Sequence, residues 1–277
     1  MADAAQVRSS SGSGTGRRLT ELARGGAFRL AWSDEFDGAP GSPPDRSTWQ
    51  AETGGSGWGN RELQYYTDDA GNAALDGAGN LAIVVRRVDP DLARQRYAGC
   101  RYTSARLISR DRMSFRYGLV QARIKIPRVH GIWPAFWMLG QDIGRSGWPG
   151  CGEIDVMEHF GTGPETVHGT IHGPGYSGQA GISASRTVGP SLGRDFHLYS
   201  VVWEPGRIRW YVNDELYHTV TPADLDRKPW VFDHDFFLLI NVAVGGTASV
   251  EPASSGTFPQ TMLIDYIRVY APAPAPA

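Results

Sequence analysis

The sequence predicts an all-β protein, built as an antiparallel sandwich or barrel. The chain of 277 residues contains 35 Gly and 18 Pro, which allow many chain reversals but stay below the content typical of low-complexity disorder. It also contains 9 Trp, 11 Tyr and 10 Phe, so aromatic rings do more here than fill a core. Long helical periodicity is nearly absent, and strands without interposed helices exclude a βαβ fold.

The first four predicted strands follow one another between turn signals. Residues 81–85 form a short block of aliphatic residues, as expected of a buried strand. Residues 119–126 carry polar side chains at every second position over most of their length, which indicates a strand with one buried face. Residues 198–203 and 208–212 are rich in aromatic and β-branched residues and flank a Pro-Gly turn, a pattern typical of two connected strands.

Two further segments complete the predicted strands. Residues 236–244 form an apolar block that only one polar residue interrupts, whereas residues 262–270 alternate between the two faces of a strand. No repeat of 20 to 50 residues is visible, so a repeat architecture is not expected.

One domain accounts for most of the chain. We expect a flexible N-terminal segment over residues 1–25, because it is rich in Ser, Gly and Arg and lacks apolar periodicity. A single β-domain is predicted over 26–270. Residues 271–277 alternate Ala and Pro, so we expect an extended linker that leads to a further module cut away after it.

Charge and cysteine content restrict the partners. The formal net charge is −2, which argues against a nucleic-acid partner. No apolar run reaches the about 20 residues that a membrane-spanning helix needs. Cys100 and Cys151 permit one disulfide at most, and the sequence leaves their redox state open. We expect a monomer with no membrane or nucleic-acid partner.

The segment 153–158 carries three carboxylates within six residues. Side chains alternate faces along a strand, so Glu153 and Asp155 share one face, whereas Glu158 falls on the other. One extra residue near Val156 or Met157, a β-bulge, brings Glu158 back to the same face, and such bulges are over-represented next to active sites.

Two interpretations of this cluster remain open from the residues alone. The first is a solvated strand face, although like charges on one face repel. The second is a pair of carboxylates for glycoside hydrolysis. With the bulge, the Cα atoms of Glu153 and Glu158 would be roughly 13 Å apart, and inward-leaning side chains could close the gap between carboxylates to the about 5 to 5.5 Å of a retaining mechanism. Asp155, between them, could share a proton with one of the two.

These residues and several other blocks resemble glycoside hydrolase family 16. The segment 153–158 has the bulged E-x-D-x-x-E form of the laminarinase branch, and the resemblance covers about residues 27–270. The other blocks occur in the family order: residues 32–37 (WSDEFD), 58–67 (WGNRELQYYT), 102–106 (YTSAR), 131–139 (GIWPAFWML), 168–172 (HGTIH) and 264–270 (IDYIRVY).

The resemblance implies a concanavalin A-like β-jelly-roll sandwich with an open cleft on its concave sheet. It also implies endo-hydrolysis of β-glucans with retention of configuration. By position, Glu153 matches the nucleophile, Glu158 the general acid/base and Asp155 the assisting carboxylate. Two carboxylates suffice for this chemistry, so no catalytic cofactor is expected.

Aromatic faces suit the flat faces of pyranose rings. Trp133 and Trp137 resemble cleft residues of the family, and Trp148 does so more weakly; the alternative for any single Trp is core packing. His172 resembles a residue beside the acid/base on the aglycone side of the cleft.

Further polar residues resemble positions at the glycone end. Asn60, Glu62 and Arg106 match polar residues there, although Arg106 could instead be buried and paired with an acid. Family members commonly carry Asn-Trp after the Gly-Gly pair, but here residues 247–251 read TASVE. The expected indole is absent, and Glu251 or another ring could replace it as a substrate contact.

The resemblance also implies a structural calcium ion. Asp265 matches its carboxylate ligand, and the carbonyl groups of Glu35 and Gly79 would be companions, since calcium prefers hard oxygen ligands. The alternative for Asp265 is an ordinary salt bridge.

The expected function is endo-hydrolysis of β-1,3-glucosidic bonds in laminarin- or curdlan-type β-glucans by a secreted enzyme, with its signal peptide absent from this chain. One alternative is an endo-β-1,3(4)-glucanase that prefers mixed-linkage glucan. A second is a non-catalytic glucan-binding protein on the same sandwich, although both glutamates are present.

Overall fold

The computed structural model describes residue 19 and residues 27–127, 129–163, 165–190, 192–253 and 256–273. Most of the predicted flexible segment 1–25 lies outside these residues. Leu19 departs from the flexibility expected of that segment, because it is buried among Leu119, Val202 and Tyr211.

Strands dominate the described residues. The seventeen strands are β1 (Phe28–Asp34), β2 (Gln50–Glu52), β3 (Gln64–Tyr66), β4 (Ala73–Leu75), β5 (Leu81–Arg87), β6 (Tyr102–Ser104), β7 (Arg106–Ile108), β8 (Gly118–Lys125), β9 (Ile132–Gly140), β10 (Glu153–Glu158), β11 (Thr166–His172), β12 (Ile182–Thr187), β13 (His197–Glu204), β14 (Arg207–Val212), β15 (Glu215–Val220), β16 (Phe236–Val244) and β17 (Gln260–Pro272). Between residues 27 and 273, the described helices are α1 (Pro90–Arg96), α2 (Ile143–Ser146) and two 3₁₀ turns, Gly178–Ala180 and Pro222–Leu225. None of these helices is long and apolar enough to cross a membrane.

Two sheets pack face to face as a β-jelly-roll sandwich, so the predicted fold class is confirmed. One sheet has ten strands, with the path β15-β14-β13-β8-β17-β5-β6-β3; β1 and β4 pair with β17 and β5. The other has seven, in the order β12-β11-β10-β9-β16-β7-β2. The pairing is antiparallel except between β3 and β6, which run parallel, a local departure from the expected antiparallel pattern.

The core lies between the sheets because each strand turns its apolar positions inward. Ile154 and Val156 of β10, Phe136 of β9 and Ile240 of β16 are fully or almost fully buried within it. Large rings contribute from the other sheet, where Trp203 is also fully buried. The six predicted strands correspond to β5, β8, β13, β14, β16 and β17; three-residue strands such as β3 and β7 carry too few residues for a periodic signal.

Strand β17 extends further than the sequence predicts. The linker is expected to begin at residue 271, but Ala271 and Pro272 pair with Arg29 and Phe28 of β1, and the Ala273 N–H donates to the Ala27 carbonyl. The sheet continues because β1 offers these residues hydrogen-bond partners, which a sequence pattern of alternating Ala and Pro does not reveal.

Both cysteines are free thiols. Cys100 is half-buried, with its Sγ atom 3.5 Å from the Gly55 carbonyl oxygen. Cys151 is fully buried among Leu139, Phe237 and Leu239, and burial raises the pKa of its thiol to about 11.

The contact between Gly118 and β17 predicts a large loss of stability in Gly118→Ala. Gly118 has φ of 117°, and an added Cβ would lie 2.1 Å from the Tyr270 carbonyl oxygen. Backbone strain of about 1 kcal/mol and an overlap costing about 1–3 kcal/mol should both lower the free energy of unfolding. Chemical denaturation measures this change.

The matched control is Gly41→Ala. Gly41 also has a positive φ, 82°, but no atom lies within 4 Å of its added Cβ, so only the backbone strain applies. Equal losses in the two variants would contradict the packing argument.

Candidate active site

The centre of the site is an irregularity in β10. Asp155 pairs with Trp137 of β9, whereas the next pair joins Met157 to Phe136. Val156 is therefore the extra residue, and the expected β-bulge is present. The bulge lies between Asp155 and Glu158, where an extra residue is needed for all three carboxylates to share one face of the sheet.

The neighbouring strand β11 provides an independent measure of this geometry. Glu153 lies opposite His172, Asp155 opposite Thr170 and Glu158 opposite His168. The five-residue separation of the two glutamates in β10 thus matches a four-residue separation in β11, which places both on the face turned away from the core.

Each glutamate accepts a hydrogen bond from an indole. Trp148 donates its Nε1–H to Glu153 Oε2 at 2.5 Å, and Trp133 donates to Glu158 Oε1 at 3.0 Å. Thr170 Oγ1 lies 3.5 Å from the second oxygen of Glu158. Trp148 is half exposed, so it forms an open wall of the site.

Asp155 lies between the glutamates and beside an imidazole. His172 Nε2 is 3.3 Å from Asp155 Oδ2. Asp155 is 3% exposed and shares a hydrogen bond with Glu153, which requires a proton on one of the two carboxyl groups. Ligand atoms of Glu153, Asp155 and His172 lie within 4.8 Å of one another, a spacing that the shared proton and the imidazole contact already explain.

Burial and mutual repulsion raise the pKa of all three carboxyl groups. Desolvation is the largest cause in each. The charge of Asp155 helps to raise the pKa of Glu153 to about 8, and the charge of Glu153 helps to raise that of Glu158 to about 7. The pKa of Asp155 lies well above its ordinary value, with a contribution from Glu158. A carboxyl group that titrates near neutrality can both donate and accept a proton.

A chain of buried hydrogen bonds begins on the same face of the sheet. Trp137 Nε1 donates to Asn241 Oδ1 at 2.7 Å, and Asn241 Nδ2 donates to the Tyr66 hydroxyl at 3.0 Å. Tyr66 in turn donates to Glu62 Oε2 at 3.2 Å.

Glu62 is the acceptor at the end of this chain. It also accepts from Asn60 Nδ2 at 3.1 Å and Gln64 Nε2 at 2.6 Å. Burial raises the pKa of Glu62, and these donors and the Arg106 charge oppose that rise. Sequence-predicted residues Asn60, Glu62 and Trp137 therefore belong to one connected network.

Arg106 combines the two environments that the sequence left open, an ion pair with an acid and a position among cleft aromatics. Its Nε atom is 2.5 Å from Glu52 Oε2, as expected of a paired buried arginine. Its guanidinium also lies between two rings, 4.8 Å from the Trp58 centroid and 4.9 Å from the Trp137 centroid. Arg106 thus connects Trp58 to Trp137, one of the predicted cleft aromatics.

Glu251 is exposed, and no hydrogen bond or ion pair links it to the described residues of the site. The turn that precedes it does reach the site, because the Thr247 N–H donates to the Asn60 carbonyl at 2.8 Å. The role predicted for Glu251 stays a prediction.

The three residues expected at a calcium site lie at or next to the point where β17 changes partners. Strand β5 pairs with β17 up to Ile264, and β1 pairs with it from Ile267 onward. Asp265 is the extra residue of a register shift at this junction. Glu35 follows the end of β1 and Gly79 precedes β5, but the Asp265 carboxylate ion-pairs with Arg123, which is the salt bridge that the sequence offered as an alternative.

Several site residues escape the sequence-based reasoning, although two left a signal. Asn241 is the one polar residue in the buried strand Phe236–Val244, and a buried amide requires hydrogen-bond partners. Tyr66 shares a strand face with Glu62 by its two-residue period. Glu52 and Thr170 left no such signal, because their contacts depend on how distant strands align.

Comparisons with known proteins agree with this geometry. The sequence profile described as "Glycosyl hydrolases family 16" matches residues 57–267. A "Beta-glucanase" of Rhodothermus marinus is 41% identical over 255 residues, which cover 88% of this chain and 85% of that protein. The laminarinase catalytic domain from Thermotoga maritima MSB8 has a TM-score of 0.80 at 43% identity and covers 88% of this chain and 98% of that chain. The endo-beta-1,3-glucanase from Pyrococcus furiosus has a TM-score of 0.81 at 41% identity, with 88% and 94% covered.

The jelly-roll sandwich, its clustered carboxylates and these relatives together identify a glycoside hydrolase. With the profile match over most of its length, the chain belongs to glycoside hydrolase family 16.

The raised pKa of Glu153 predicts that this residue destabilises the folded protein at alkaline pH. The folded state binds the proton more tightly than the unfolded chain, where a Glu titrates near 4.5. The resulting stabilisation is therefore present below about pH 4.5 and is lost as the pH rises toward 8. Glu153→Gln should raise Tm at pH 8 by about 2–4 °C or more, and the gain should shrink at pH 5; calorimetry at both pH values measures it.

Glu251→Gln is the matched control, because it removes the same charge from an exposed position. Its Tm should stay within about 1 °C of the parent at both pH values. A Glu153→Gln variant that is less stable at pH 8 than at pH 5, relative to the parent, would contradict the assigned direction.

Proposed function

We propose that the protein hydrolyses internal β-1,3-glucosidic bonds of laminarin- or curdlan-type glucans and retains the anomeric configuration. The observation that carries the proposal is the bulge at Val156, which puts Glu153, Asp155 and Glu158 on the face of the sheet that is turned away from the core. The relatives described as a laminarinase and an endo-beta-1,3-glucanase support the choice of linkage.

In the first step, the Glu153 carboxylate attacks the anomeric carbon and forms a glycosyl ester. Glu158 donates its proton to the glycosidic oxygen, and the sugar on the aglycone side leaves as an alcohol. In the second step, the Glu158 carboxylate takes a proton from water, whose oxygen attacks the anomeric carbon and releases Glu153. The Trp133 indole holds Glu158 by its 3.0 Å hydrogen bond.

Asp155 keeps the nucleophile ionised in this scheme. Glu153 and Asp155 share one proton, and Glu153 attacks only when that proton is on Asp155. The hydrogen bond from Trp148 and the nearby His172 both lower the pKa of Glu153. They therefore oppose the effects of burial and of the Asp155 charge, which raise that pKa, and help Glu153 to ionise.

The glucan would lie across the seven-stranded sheet. The rings of Trp58 and Trp137 both lie against the Arg106 guanidinium. They would contact sugar faces on the glycone side, together with Asn60 and Glu62. Trp148 and His172, whose ring centroids are 6.3 Å apart, would line the aglycone side. Since a polymeric glucan is too large to enter a cell, we also propose that the enzyme acts outside it.

We predict that replacing either glutamate by glutamine lowers turnover, for a different reason in each case. Glu158→Gln should lower kcat on laminarin by about 10²–10⁴-fold, since proton transfer is lost, and Glu153→Gln should lower it at least as much, since no ester can form. Reducing-sugar release measures kcat, and circular dichroism checks that both variants fold. Substantial turnover by either folded variant would overturn the assignment.

The substrate and the stereochemistry are tested on the unmodified enzyme. Oligosaccharides should accumulate faster from laminarin and curdlan than from barley mixed-linkage glucan, and NMR should detect the β-anomer first. Preference for barley glucan would identify a β-1,3(4)-glucanase, and binding without cleavage would identify a glucan-binding protein.

We propose a structural calcium ion at the β17 junction, supported by the position of Asp265 between the β17 residues that pair with the end of β1, before Glu35, and with the start of β5, after Gly79. Oxygen ligands suit this cation, which would tie β1, β5 and β17 together. Chelation should lower Tm by several degrees, and added Ca²⁺ should restore it. An unchanged Tm would leave Asp265 as the salt-bridge partner of Arg123 alone.

A further inference from the structure

The bulge in β10 has a hydrogen-bond partner on the opposite sheet. Trp210 of β14 extends across the core and donates its Nε1–H to the Asp155 carbonyl oxygen at 2.7 Å. That carbonyl immediately precedes Val156, the residue that the bulge inserts. A bulge disrupts the ladder locally, and a buried backbone group needs a partner, which Trp210 supplies here.

The structure makes room for this indole. Trp210 is fully buried and stacks on His218 of β15, with ring centroids 4.7 Å apart. Gly169 of β11 faces it, and a Cβ at Gly169 would lie 2.4 Å from Trp210 Cδ1 and 2.5 Å from the Tyr217 hydroxyl. Only a residue without a side chain lets the ring come this close to the two strands of the site.

A second bulge lies in the ten-stranded sheet, next to Trp210 itself. In the pairing of β14 with β15, Trp210 faces His218 and the next pair joins Tyr211 to Leu216, so Tyr217 is the extra residue. Two irregularities therefore face each other across the core, one in each sheet, and Trp210 lies between them. Trp210 therefore contacts β10 at the first bulge and β15 at the second.

We propose that Trp210 is a positioning residue for catalysis, which holds the β10 bulge in place and so fixes where Glu158 lies relative to Glu153. It touches neither substrate nor the reacting carboxylates, and it acts through the Asp155 carbonyl. The inference rests on the proposed roles of the two glutamates. It adds a determinant of their spacing that lies on the other sheet.

The physical consequence is specific to proton donation. When the indole N–H is absent, the Asp155 carbonyl loses its partner and the bulge can relax, which displaces Glu158 relative to the bond that it protonates. A displacement of about 1 Å can cost 100-fold in rate. A substrate with an activated leaving group needs little proton donation, so its cleavage should suffer less.

The test uses Trp210→Phe, which keeps an aromatic ring and removes the donor. Trp203→Phe is the matched control, because Trp203 is equally buried in the adjacent strand β13 and donates to a backbone carbonyl, that of Phe232, at 2.9 Å. Tm, kcat and KM are measured for both variants on laminarin and on a dinitrophenyl β-glucoside of the same glycone.

Both variants should lose similar stability, about 2–4 °C in Tm for one hydrogen bond. Only Trp210→Phe should lower kcat on laminarin, by about 10-fold or more with KM changed less than threefold, and its loss on the dinitrophenyl substrate should be clearly smaller. Equal kinetics for the two variants, or equal losses on both substrates, would overturn the inference.

Gly169→Ala provides a second approach if Trp210→Phe does not fold. Its methyl group displaces the indole without removing it, so the same selective loss on laminarin is expected. Parental kinetics in a folded Gly169→Ala would overturn the inference. Failure of the proposed function itself is distinguishable, because turnover by Glu153→Gln or Glu158→Gln removes the roles on which the spacing depends.

Discussion

The two-residue period of β10 is the constraint on which the site depends. A regular strand would present Glu153 and Asp155 on the outer face and direct Glu158 into the core. The inserted Val156 reverses this parity once, and both neighbouring strands accommodate it without a matching insertion. The carboxylates, the indoles that bind them and the hydroxyl of Thr170 then share one surface, so a single irregularity assembles the reactive groups.

The carboxyl groups of the site destabilise the folded protein, and the apolar core of the sandwich offsets this loss of stability. Three carboxyl groups with raised pKa values lie close together, of which Asp155 and Glu158 are buried and Glu153 is half-buried, and this arrangement opposes folding at alkaline pH. The inner faces of the same strands contribute fully buried residues such as Ile154 and Phe136. Burial of apolar side chains, at roughly 25 cal/mol per Å², supports the backbone that keeps the like charges together.

Much of this arrangement is visible in the sequence, and the remainder depends on tertiary contacts. The spacing of Glu153 and Glu158 predicts the bulge because strand parity admits few alternatives. Asn241 is detectable as a polar residue in an apolar strand, but its hydrogen bond to Tyr66 is not, since 175 residues separate the two. Trp210 resembles any core tryptophan, because its contact with the Asp155 carbonyl exists only after the two sheets pack.

The position of β17 has a consequence for biosynthesis. This strand lies between β8 and β5 and also pairs with β1, yet it is the last strand of the described chain. During synthesis, β5 and β8 emerge long before their shared neighbour, so both present unpaired edges of the kind that associate with other chains. The ten-stranded sheet closes through contacts between distant parts of the sequence, which are slow to form. The nascent protein therefore passes through a period of exposed edges that chaperones would protect.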